Sequence, residues 1–77
     1  MVVGRNLTIN NRKGIIVFTG NYNNIDYINV CFDDNNEYKT YRVTKDGDDF
    51  LLDLETDKNI LSTLLAIWAS EEIDKGE

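Results

Sequence analysis

The acidic side chains are the groups in this sequence most able to do chemistry, and nearly all of them lie in its second half. Residues 1–32 carry three basic groups and one acidic group, whereas residues 33–77 carry five basic groups and thirteen acidic ones. The acidic residues fall in four clusters: Asp33, Asp34 and Glu37; Asp46, Asp48 and Asp49; Asp53, Glu55 and Asp57; and Glu71, Glu72, Asp74 and Glu77. A surface of this sign repels phosphate and attracts basic surfaces. The charge distribution therefore predicts a basic protein partner and no direct binding of nucleic acid.

Familiar catalytic and metal-binding motifs are missing from the sequence. There is no histidine, which removes Ser-His-Asp and Cys-His nucleophilic sites and HExxH zinc sites together. The five glycines form neither of the common phosphate-binding motifs, GxxxxGK(S/T) and GxGxxG. A calcium loop starting at Asp33 fails because Tyr38 and Thr44 stand where that loop needs glycine and glutamate. We therefore predict a protein that is not an enzyme and that uses no cofactor and no metal ion.

Length and composition predict one folded domain, residues 1–77. The 77 residues are 42% apolar and 29% charged, which is typical of a small globular chain. No apolar stretch approaches the roughly 18 residues of a membrane span, and the first residues lack the apolar region of a signal peptide. Cys31 is the only cysteine, so an internal disulfide is impossible. We expect a cytoplasmic protein that does not associate with membranes.

Five short apolar runs, separated by turn-forming segments, predict five antiparallel strands. The runs are residues 7–10, 15–19, 25–32, 37–44 and 50–54. The segments between them, residues 11–14, 20–24, 33–36 and 45–49, are rich in Gly, Asn and Asp, which tolerate left-handed backbone conformations. Ile28, Val30 and Phe32 are spaced by two, so we expect them on one face of the third strand. The loops are short, which favours antiparallel neighbours.

A helix is predicted over about residues 57–70, capped by Thr56 or Asp57 and followed by an acidic frayed tail, residues 71–77. At 100° per residue its large apolar side chains span an arc of about 160°; these are Ile60, Leu61, Leu64, Leu65, Ile67 and Trp68. One sheet face covers about 100° of a helix. Two arrangements remain open. The helix caps a strongly curved barrel and buries the whole arc, or Ile67 and Trp68 lie at an uncovered margin and bind a partner or a second copy of the chain.

Four tyrosines surround the first acidic hairpin: Tyr22, Tyr27, Tyr38 and Tyr41. Aromatic faces beside carboxylates can hold a cation, so Tyr38 and Tyr41 are candidate partner-binding residues. The competing interpretation is that tyrosine is used here for strand propensity and cross-strand pairing.

The order of elements resembles an SH3-like small β-barrel of the Tudor kind over about residues 7–54. The resemblance is carried by the turn and strand at residues 13–17, the strand at residues 28–33 and the strand at residues 38–41. It implies a binding module without catalytic residues, whose relatives hold peptides, RNA polymerase surfaces or nucleic acid between their loops. The C-terminal helix and the acidity depart from that pattern. An open antiparallel sheet packed on one helix is the alternative architecture.

These observations predict a non-enzymatic interaction module that binds a basic protein surface. The alternative is a small inhibitor, of the kind that phages and mobile elements encode, that mimics nucleic acid and occupies the nucleic-acid groove of a host enzyme, as an anti-CRISPR protein does. The candidate partner-binding residues are Asp33, Asp34, Glu37, Asp48, Asp49, Tyr38, Tyr41, Ile67 and Trp68. One strand separates the two acidic hairpins, so we expect two acidic poles at opposite ends of the sheet.

Overall fold

The fold is α+β, with five antiparallel strands followed by one helix, as predicted. The computed structural model describes the backbone of residues 1–75 and the side chains of residues 1–71. The strands are β1 (Asn6–Ile9), β2 (Arg12–Tyr22), β3 (Ile25–Phe32), β4 (Tyr38–Asp46) and β5 (Asp49–Leu54), and the helix is α1 (Lys58–Lys75). Each strand pairs with the next in sequence, which gives the sheet order β1-β2-β3-β4-β5. The sheet curls into a half-barrel.

Pairs of asparagines form the first two turns of the sheet. Asn10 and Asn11 have φ values of 51° and 65°, and Asn23 and Asn24 have φ values of 53° and 62°. Two consecutive left-handed residues match the twist of a two-residue hairpin. The first turn was predicted at residues 11–14, and this position is wrong, because Asn10 and Asn11 complete the turn and β2 begins at Arg12.

Two apolar layers lie on opposite faces of β3. Ile28, Val30 and Phe32 point into the curl of the sheet, where they pack with residues from every other strand. On the other face Tyr27 packs against the helix. The predicted alternation in β3 is confirmed, and it places one core inside the half-barrel and a second between the sheet and α1.

A β-bulge lets β2 contribute to both cores. Ile16 pairs with Val30 and Phe18 with Asn29, so the register shifts by one residue between them. The shift moves Phe18 to the helix side of the sheet. There its ring stacks on Trp68, with centroids 5.6 Å apart and planes 14° from parallel.

The helix lies on the outer face of the sheet and does not cap a barrel end. Its N-cap is Asp57, whose Oδ1 accepts hydrogen bonds from the backbone N–H groups of Asn59 at 2.8 Å and Ile60 at 3.3 Å. It continues to Lys75, past the predicted end at residue 70, and the last two residues of the predicted tail, 76 and 77, lie outside the described residues. No helix in the described chain is both long and apolar enough to cross a membrane.

Candidate protein-interaction surfaces

The first acidic hairpin, between β3 and β4, is held by an arginine at the start of β2. Arg12 donates two hydrogen bonds to Asp34, from Nε at 3.0 Å and from Nη2 at 2.9 Å. Its Nη1 donates to Glu37 Oε1 at 3.1 Å, and Lys39 Nζ lies 3.8 Å from the same oxygen. The guanidinium carbon also lies 4.2 Å from the centroid of the Phe32 ring. Two cations therefore offset most of the negative charge at this hairpin.

The arginine changes the titration of the hairpin as well as its charge. Its hydrogen bonds to Asp34 hold the pKa of that carboxyl below its usual range, and the same bonds raise the pKa of the Arg12 guanidinium. Sequence inspection missed this contact because 22 residues separate the two side chains. The register between β2 and β3 indicates the contact, because Gly14 pairs with Phe32 and extending that pairing by two residues brings Arg12 opposite Asp34.

The second acidic hairpin, between β4 and β5, contains Lys45, but in the described part of the chain no cation lies within ion-pair distance of its carboxylates. Gly47 provides the left-handed residue of its turn, with φ of 61°. The acidic side chains of this hairpin and of β5 are exposed, and none forms a hydrogen bond or ion pair with any side chain in the described part of the chain; they are Asp46, Asp48, Asp49 and Asp53. We call these four residues the acidic tip.

The two acidic hairpins lie at opposite ends of the sheet, as predicted. β4 runs between them, and its first residue, Tyr38, pairs with Cys31 while its last, Asp46, pairs with Asp49. The two hairpins thus share one strand but differ in the pairing of their carboxylates, because Arg12 forms ion pairs only with the first hairpin.

Exposed apolar side chains accompany the acidic tip along β5. Phe50, Leu51 and Leu54 are 45%, 51% and 47% exposed, whereas Leu52 packs against the core inside the curl. The sequence pattern predicts a strand here and gives no sign that the run forms a surface. Exposure of adjacent large apolar residues beside polar ones is a mark of an interaction site.

A groove between the helix and the sheet adds apolar surface next to the end of β5. It has a volume of about 390 Å³, and Leu54, Leu61, Leu65 and Tyr38 contribute to its lining. The polar groups at its floor are satisfied, since Asn29 Nδ2 donates to Thr40 Oγ1 at 3.1 Å. Its rim is open, with Leu65 60% and Tyr38 62% exposed.

Two of the candidate partner-binding aromatics are core residues. Trp68 is 2% exposed, and its indole N–H donates to the backbone carbonyl of Thr19 at 3.2 Å, so the arrangement that places it at an uncovered margin is wrong. Tyr41 is 7% exposed and packs edge-on against Phe32. Burial raises the pKa of the Tyr41 hydroxyl. Ile67 does lie at the margin of the helix, at 38% exposure.

Within the described residues, no three acidic or cysteine side chains come close enough together to hold a metal ion. Comparison of the chain with protein-family models, with curated proteins and with solved structures finds no match.

Proposed function

We propose that the protein is a non-enzymatic, cytoplasmic interaction module that binds a basic protein surface through the acidic tip and the apolar side chains of β5. The observation that carries this proposal is the presence, on one hairpin and strand, of four carboxylates without ion-pair partners and three exposed large apolar side chains. The curled five-stranded sheet is compatible with the SH3-like module that the sequence resembles.

The two kinds of side chain have different parts in binding. Burial of Phe50 and Leu51 against a partner contributes affinity in proportion to the apolar area removed from water. The carboxylates beside them attract a basic surface, speed association and disfavour acidic partners. The first acidic hairpin contributes less, because Arg12 and Lys39 already offset two of its three negative charges.

The test begins with a pull-down from the native host, identified by mass spectrometry, and continues with the affinity of the recovered partner at low and high salt. We expect the triple variant D46N/D48N/D49N to bind about tenfold more weakly at low salt, from three exposed charges of ~0.2–1 kcal/mol each. The matched control is D33N/D34N, which removes two carboxylates from the opposite end of the sheet and should change affinity less.

Binding that ignores both salt and the triple variant would contradict the proposal. Competition by a DNA oligonucleotide separates it from the alternative function. A partner whose nucleic-acid channel is the binding site releases the protein when DNA is added, as a nucleic-acid mimic requires. A partner with a basic surface outside such a channel does not.

A further inference from the structure

β5 is an edge strand, and the hydrogen-bonding direction of its backbone can be assigned residue by residue. The N–H of Glu55 donates to the carbonyl of Thr40 at 2.9 Å. Antiparallel ladders alternate between bonded and non-bonded pairs, so the pairs of Asp53 with Arg42 and Leu51 with Thr44 are bonded as well. The N–H and C=O groups of Phe50, Leu52 and Leu54 therefore point away from β4, toward the open side of the strand.

Apart from the charges of Asp49 and Asp53, this open edge lacks the usual protection. Exposed edges are commonly blocked by proline, by a bulge, by short length or by a covering element. β5 has six residues, no proline and a regular register with β4. The other edge strand, β1, has only four residues.

A second copy of the chain is a poor occupant of this edge. In a two-fold antiparallel pair, the outward residues Phe50, Leu52 and Leu54 must face one another. Three registers pair at least two outward residues. Phe50 opposite Leu52 puts Asp49 opposite Asp53, Phe50 opposite Leu54 puts Asp49 opposite Glu55, and Leu52 opposite Leu54 puts Asp53 opposite its own copy. Like charges directly opposite each other destabilise a strand pair.

We propose that the open edge of β5 receives an extended segment of the basic partner as a sixth strand, a mode that rests on the proposed function. The segment alternates basic with apolar residues, since Asp49 and Asp53 share one face of β5 while Phe50 and Leu54 share the other. Backbone hydrogen bonds to Phe50, Leu52 and Leu54 provide affinity, and the alternating side chains provide specificity.

Amide hydrogen exchange on the wild-type protein tests the proposal directly. The probe is a short synthetic peptide that alternates lysine with valine, and its control carries D-valine at every apolar position, which keeps charge and composition but opposes strand pairing. With the first peptide, exchange at the amides of Phe50, Leu52 and Leu54 should slow by about tenfold or more. The amides of Leu51 and Asp53, already bonded to β4, should change little.

A pair of variants separates backbone pairing from side-chain contact. Leu54→Pro removes one outward N–H without breaking a bond to β4, whereas Leu54→Val keeps that N–H. We expect the proline variant to bind the lysine–valine peptide at least about fivefold more weakly than the valine variant, from the loss of one backbone hydrogen bond.

Each outcome has a distinct meaning. Salt-sensitive binding of the peptide with unchanged exchange at the three outward amides, or equal binding of the D-valine control, overturns strand addition and leaves the proposed function in place. Failure of D46N/D48N/D49N to weaken capture of the native partner overturns the proposed function itself. Exchange is read on the unmodified chain, so the test does not depend on the proline variant folding.

Discussion

Trp68→Ala should remove a large part of the stability of this protein. The indole is 2% exposed, stacks on Phe18 and donates a hydrogen bond to the carbonyl of Thr19. It also lies against Gly20, where a Cβ would come within 3.2 Å of the indole nitrogen. Truncating a buried tryptophan to alanine typically costs about 3–5 kcal/mol. A chain of this length has a total free energy of unfolding of roughly 4–12 kcal/mol.

Urea unfolding followed by far-ultraviolet circular dichroism measures the loss, since the variant has no tryptophan left for fluorescence. Leu65→Ala is the matched control, because Leu65 lies on the same helix within the same predicted apolar arc but is 60% exposed. It should change the free energy of unfolding by about 0.5 kcal/mol or less. A loss below about 1 kcal/mol for Trp68→Ala would refute the burial argument and return the tryptophan to the surface.

Three further outcomes follow from other contacts. Arg12→Met should abolish the part of the acid sensitivity that comes from Asp34. The lowered pKa of Asp34 in the folded state stabilises the wild type above pH ~4, and this stabilisation is lost as pH falls through the folded pKa. The free energy of unfolding in urea, measured from pH ~6 down to ~2, should therefore depend less on pH in the variant. Burial, with the nearby Glu55 carboxylate, raises the pKa of the Tyr27 hydroxyl. The stability that this shift contributes below pH ~10 should be lost as pH rises through the folded pKa. In unfolding measurements at increasing alkaline pH, Tyr27→Phe should not show that loss. Asp57→Ala should lower the melting temperature by removing an N-cap of about 0.5–2 kcal/mol, and Asp57→Ser should restore most of it.

Local patterns were enough to predict the strands and the helix cap, because the forces behind them act over a few residues. Alternation identified the buried face of β3, and Asp57 was one of two predicted caps. Gly14 and Gly20 were misinterpreted as turn residues, whereas Gly47 does lie in a turn. Gly14 lies inside β2, where a Cβ would come within 2.7 Å of a Val30 methyl group, so its role is close packing. That contact depends on a neighbouring strand, which no local pattern shows.

The positions of the apolar residues around the helix were sufficient to predict which of them are buried. The apolar arc runs from Ile67 to Leu65, and its centre falls between Leu64 and Trp68. These two residues are the buried pair, while Ile67 and Leu65 at the two ends are exposed. A sheet face that covers about 100° of a 160° arc must leave both ends open. Of the two arrangements left open, neither is correct: the arc is not buried whole, and Trp68 does not lie at its margin.

The bulge in β2 could not be predicted, although it decides which core Phe18 joins. Without it, Ile16 and Phe18 would share one face, and Trp68 would lose its stacking partner. A bulge is set by the fit between strand curvature and the packing on both faces. Both depend on the complete fold.

The structure shows where the negative charge of the second half of the sequence lies on the fold, which composition alone cannot show. Similar clusters of carboxylates close both ends of β4, but Arg12 and Lys39 form ion pairs at only one end, so most of the unpaired charge lies beside the open edge of β5. An apolar edge is a hazard to a small protein, since it can pair with any exposed strand. Asp49 and Asp53 oppose pairing with another copy of the chain, and the same two charges favour a basic strand. One pair of carboxylates thus keeps the protein soluble and also selects its partner. Replacing both Asp49 and Asp53 with asparagine should therefore weaken binding of the lysine–valine peptide. The same variant should self-associate more than the wild type when sedimentation is measured at high protein concentration.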